Sequence, residues 1–112
     1  MIGNKIMELN YKKYKRVDEK TINITPLMFD LAEANIFGLQ AKQPQKIQQS
    51  IDQIEQLRKD IRKGDTFPPI IIEVNPKTNA FITIVDGFHR LIAYRDECMT
   101  ITKAIYVTRL DR

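Results

Sequence analysis

Cysteine, histidine and tryptophan are nearly missing from this 112-residue chain, which has one Cys, one His and no Trp. A lone cysteine, Cys98, cannot close an internal disulfide, and a reducing cytoplasm is the default expectation. One His and one Cys cannot fill a four-ligand zinc site. No glycine-rich loop of Walker type is present, and no Ser-His-Asp arrangement can be argued from the sequence. No apolar run approaches the ~18 residues that span a bilayer. The opening Met1-Ile2-Gly3-Asn4-Lys5 has no apolar signal block, and a cytoplasmic location is expected. Internal repeats and low-complexity tracts are absent as well.

Hydrophobic residues at 43% and charged residues at 29% fit one globular domain over residues 1–112. The expected division is an N-terminal strand and helix region, 1–43, and a core, 44–112. The formal net charge of +4 permits a nucleic-acid or nucleotide partner without requiring one. Lys12, Lys13, Lys15 and Arg16 cluster around Tyr11 and Tyr14. Such a cluster can track the phosphate backbone of DNA, or it can be a solvated strand face.

Along the chain, Ile6 to Val17 alternates loosely and suggests a strand or two, followed by a loop at Asp18–Thr21. Thr25-Pro26 is a helix start, with Thr as N-cap and Pro in the first turn. Leu27, Met28, Leu31 and Ala34 follow at helical spacing, and Asn35 to Pro44 connects onward. A longer helix is predicted from Pro44 to about Lys63, with Ile47, Ile51, Ile54, Leu57 and Ile61 on one stripe and Gly64 at its end. Ile70–Val74 reads as a strand buried on both faces. Asn75–Asn79 is a turn, and Phe81–Val85 should pair back antiparallel. A short helix from Phe88 to about Cys98 and a strand from Lys103 to Thr108 complete an α+β fold. This is a small mixed sheet with a central hairpin and about three helices.

The stretch that points to chemistry is Val85-Asp86-Gly87-Phe88-His89-Arg90. There a strand hands over to a helix. Gly87 permits a tight turn, and the first helical amides are free to meet an anion. Arg90 opposes the helix dipole at this end, which suggests an anionic ligand such as phosphate. Arg90 can hold phosphate bidentately, and His89 can donate a hydrogen bond or exchange a proton. Asp86 can cap the helix, hold Arg90, or bind a metal ion such as Mg²⁺ that accompanies a nucleotide. On spacing alone, a cap and its ion pair explain these residues as well as a phosphate site does.

From Lys46 to Val107 the sequence resembles the ParB/sulfiredoxin superfamily. The residues that carry the likeness are Lys46-Ile47-Gln48-Gln49-Ser50-Ile51, Phe67-Pro68-Pro69-Ile70, Val85 to Tyr94, and Lys103 to Val107. The resemblance implies nucleotide binding, with ATP or CTP as ligand. It does not fix one activity, because the superfamily holds CTP-binding partition proteins, ATP-using sulfinic-acid reductases, serine kinases and nucleases. His89 and Arg90 match the sulfiredoxin residues that hold ATP phosphates, and Lys46 matches a nucleotide-contacting lysine. The Ser and Thr that assist in sulfiredoxins are Gln49 and Gln53 here. The catalytic Cys of that turn is Phe88, so sulfiredoxin chemistry is not expected. ParB proteins carry two arginines at His89-Arg90 and a helix-turn-helix region downstream, which is not expected in this sequence. By likeness to the serine kinases, Glu33 or Asp30 would be a base. Three functions therefore stand. The first is a nucleotide-phosphate-binding domain in DNA-related processes. The second is an enzyme of phosphoryl transfer or Mg²⁺-dependent DNA cleavage, with Glu33, Asp86 and His89 as catalytic candidates. The third is a phage or plasmid accessory protein used for protein contact. A dimer is compatible with each.

Overall fold

Thr25 and Pro26 open a helix as their chemistry dictates. The Thr25 hydroxyl accepts from the Met28 amide at 3.3 Å, satisfying one amide that the first turn leaves unpaired. The computed structural model describes residues 13–38 and 42–111. Its strands are β1 (Tyr14–Asn23), β2 (Ile70–Val74), β3 (Phe81–Asp86) and β4 (Ile101–Arg109). Its helices are α1 (Pro26–Glu33), α2 (Pro44–Arg62) and α3 (Phe88–Asp96), with a widened π-helical turn at Ala34–Gly38 after α1. The class is α+β, with one four-stranded mixed sheet and three α-helices among the described residues.

The sheet order is β1-β4-β2-β3. β2 and β4 run parallel, which needs the long crossover through β3 and α3. β2 pairs antiparallel with β3, and β1 antiparallel with β4. All five residues of β2 are buried, as its unbroken apolar run predicts. The hairpin loop is closed by Asn75. Its Oδ1 accepts from the amides of Lys77 and Thr78 at 2.8 and 3.2 Å, and Asn79 takes a φ of 60°.

All three helices lie on one face of the sheet. Ile70, Ile72 and Val74 point into that layer with Ile54, Leu91 and Ile92, and each such side chain is worth ~1.5–3 kcal/mol of transfer from water. The opposite face carries a smaller cluster of Ile71, Ile105 and Val107, with Tyr14 and Val85 against it.

The expected loop at Asp18–Thr21 is strand instead. These residues pair in register with Tyr106, Ile105, Ala104 and Lys103 of β4. The reason is that β1 is a sheet edge with almost every side chain exposed, so its ladder leaves no apolar alternation to read. Val17 falls in a bulge between Arg16 and Asp18, which further scrambles the pattern. The part of the predicted strand from Ile6 to Lys12 lies outside the described residues.

Two helix details also differ. In α1 the buried residues are Met28 and Ala32, while Leu27 is exposed. α3 stops at Asp96, short of Cys98. Cys98 adopts a φ of 58°, and Met99 N–H bonds back to Tyr94 O at 2.8 Å, which closes the helix. The same closure ends α2, where Gly64 takes the left-handed position and Asp65 N–H bonds Asp60 O at 3.1 Å.

Candidate functional site

The turn from β3 into α3 is held by close packing at Gly87. Its φ is 107°, and a Cβ there would fall 2.6 Å from Ile70 Cγ2 and 3.3 Å from Arg90 Nη2. Only glycine fits, and it brings α3 down onto the start of β2. Gly87 is the N-cap residue, and no side chain caps the helix. The first intrahelical bond at this end is Leu91 N–H to Gly87 O at 3.0 Å. The amides of Phe88, His89 and Arg90 thus form the uncapped start of α3. Asp86 does not take the capping role.

Instead, the Asp86 carboxylate meets Arg90 Nη2 at 3.3 Å, one helical turn away. Arg90 Nη1 donates to the carbonyl oxygens of Pro68 and Pro69, the latter at 3.3 Å. With its side chain only 12% exposed, Arg90 ties the Phe67-Pro68-Pro69 lead-in of β2 to the start of α3.

His89 points the other way, toward α2. Its Nε2 lies 3.0 Å from Ser50 Oγ. Burial lowers its pKa and the nearby Asp86 charge partly offsets this, so the imidazole is neutral at pH 7. Ser50 is the residue that the sequence pattern missed. The predicted α2 stripe includes Ile51, yet Ile51 is exposed and Ser50 is buried beside His89. The one available signal was its place one turn after Lys46 on a helix that reaches the turn.

These elements enclose a cleft of about 510 Å³ lined by Gln53, Leu57, Phe67, Pro68 and the run Asp86–Arg90. Five predicted site residues meet there: Gln53, Asp86, Gly87, His89 and Arg90. Lys46 and Gln49 are exposed on α2 and do not line it. Lys46 sits roughly 10 Å from Gln53 along the helix axis at ~1.5 Å per residue.

Glu33 is apart from the cleft. It pairs with Arg95 at 3.3 Å, near the far end of α3. Asp30 is exposed on α1. Lys13, Lys15 and Arg16 are exposed around the start of β1, and Lys12 lies outside the described residues. Lys15 and Arg16 pair with Thr108 and Val107 at the far end of β4, whereas Asp86 pairs with Ile71 at the start of β2. β1 and β3 are opposite edges of the sheet, so the basic cluster occupies the corner diagonal to the cleft.

Among the described residues no three His, Cys, Asp or Glu side chains gather to hold a metal ion, so Asp86 is a lone protein carboxylate at the cleft. Among them, too, no helix is long and apolar enough to cross a membrane. No family model matches the chain, and no curated protein and no solved structure matches it either.

Proposed function

We propose that this protein binds the phosphates of a nucleoside triphosphate, ATP or CTP, at the start of α3, as a ParB-like domain in DNA-related processes. The observation that carries the reading is the uncapped α3 N-terminus, which lines one cleft together with Gly87, His89, Arg90 and Gln53. Three backbone donors and a guanidinium favour an anion there. Leu57, Phe67 and Phe88 give the same cleft apolar walls suited to a base or ribose.

The charge balance adds a condition. Asp86 offsets Arg90 and His89 is neutral, so the lining is close to neutral. Mg²⁺ accompanying a polyphosphate would supply the missing positive charge, and Asp86 is the residue of the lining that would hold it. Of the acid–base candidates, Asp86 and His89 line the cleft and Glu33 does not, which favours binding over a phosphoryl transfer that uses Glu33. The basic corner on β1 would serve DNA as a separate surface.

The test is a thermal-shift panel of ATP and CTP with and without Mg²⁺. Ligand at 100 times its Kd stabilises by ~2.7 kcal/mol. Asp86→Asn removes the charge that offsets Arg90 and should raise affinity without metal while abolishing the gain from Mg²⁺. No shift with any nucleotide in either protein refutes the proposal.

A further inference from the structure

At the other end of α3 a second hollow opens, on the far side of Phe67. It has a volume of about 440 Å³, within the range of small-ligand sites, and lies between the loop after α2 and the start of β4. Phe67 and Tyr94 meet edge-to-face in its wall, with ring centres 6.4 Å apart. Ile61, Met99 and Ile101 add apolar surface, and Met99 and Ile101 are exposed.

Tyr94 is the unusual member. The residue is only 5% exposed, yet among the described residues its hydroxyl makes no hydrogen bond. Tyr94 lines the hollow. Tyrosine hydroxyls this deep normally find a partner. The rim carries Asp65 and Lys103, neither of them in an ion pair among the described residues. One acid and one base leave the entrance near neutral, which disfavours a polyanion and separates this hollow from the nucleotide cleft.

We propose that this hollow is a second binding site, for a small aromatic compound bearing a hydrogen-bonding substituent such as a phenolic hydroxyl. The ring packs with Phe67 and Met99, where aromatic and sulfur contacts are favourable. The substituent bonds the Tyr94 hydroxyl. The site stands independently of the nucleotide reading, because it uses a different end of α3 and different chemistry.

The experiment is an ¹H–¹⁵N NMR titration of the full chain with 4-ethylphenol and with ethylbenzene, repeated on Tyr94→Phe. That variant keeps the ring and its edge-to-face contact, so the fold is retained, and an unchanged spectrum away from the hollow verifies this. Expected are shifts at the amides of Gly64–Phe67 and Met99–Lys103. The wild type should prefer 4-ethylphenol by roughly three- to tenfold, the worth of one neutral hydrogen bond, and Tyr94→Phe should lose that preference. Three results each overturn the proposal. They are no shifts up to the solubility limit, shifts confined to Gly87–Arg90, and a preference that survives in Tyr94→Phe.

Discussion

Adding one methyl group at Gly87 tests how the candidate site is built. The new Cβ would lie 2.6 Å from Ile70 Cγ2 and 3.0 Å from Ile70 Cβ, at a backbone φ of 107°. Two costs combine in Gly87→Ala. The left-handed backbone costs about 1–2 kcal/mol, and overpacking against a core isoleucine costs about 1–3 kcal/mol. The sum, about 2–5 kcal/mol, is a large part of a small domain's stability of ~5–15 kcal/mol. The two parts separate in an Ile70→Leu background. Leucine has no Cγ2 branch, and this near-isosteric swap alone should cost less than ~1.5 kcal/mol. There Gly87→Ala should retain the backbone cost and shed most of the steric one. Urea denaturation of all four proteins closes the cycle, with stability read from midpoints at constant slope. Equal costs of Gly87→Ala in both backgrounds would refute the claim that Ile70 excludes a Cβ from this turn. A cost below ~0.5 kcal/mol would refute the strained turn as well, since that is the range of ordinary surface changes.

Two further predictions concern the far end of α3. Arg62 and Arg58 bond the Glu97 carboxylate, at 2.8 Å each at closest, and pull its pKa down to about 2. A carboxylate with a folded pKa below its unfolded one adds stability above the unfolded value and loses it as pH falls through the folded one. Glu97→Gln should therefore lower the urea midpoint at pH 7, with the difference from wild type shrinking between about pH 4.5 and 2. Cys98 closes α3 with a φ of 58°, the position that Gly64 fills after α2. Cys98→Gly should raise stability by ~0.5–1 kcal/mol, visible as a higher Tm, because glycine holds this conformation without steric cost.

The parts of the fold legible in the sequence were those where pattern and burial coincide. Ile70–Val74 is buried on both faces, and its run of apolar residues says so. Thr25-Pro26, Gly64 and Asn75–Asn79 each carry local chemistry that fixes a start, a stop or a turn. What was not legible depended on neighbours far along the chain. β1 is strand because β4 offers it a ladder, although its own side chains face solvent. Ser50 is buried because His89 arrives beside it, 39 residues later. Arg90 illustrates the middle case. Its place at the helix start marked it as unusual, but its engagement with Pro68, Pro69 and Asp86 depends on how the lead-in to β2 packs.

The central claim is that the start of α3 seats phosphate. An ¹H–¹⁵N NMR titration with ATP and with CTP in the presence of Mg²⁺ addresses it at the atoms concerned. The account predicts that the amides of Phe88, His89 and Arg90 move first and furthest, with smaller shifts on α2 around Gln53. Unmoved α3 amides at millimolar nucleotide, or shifts confined to the basic corner at Lys13–Arg16, would contradict it.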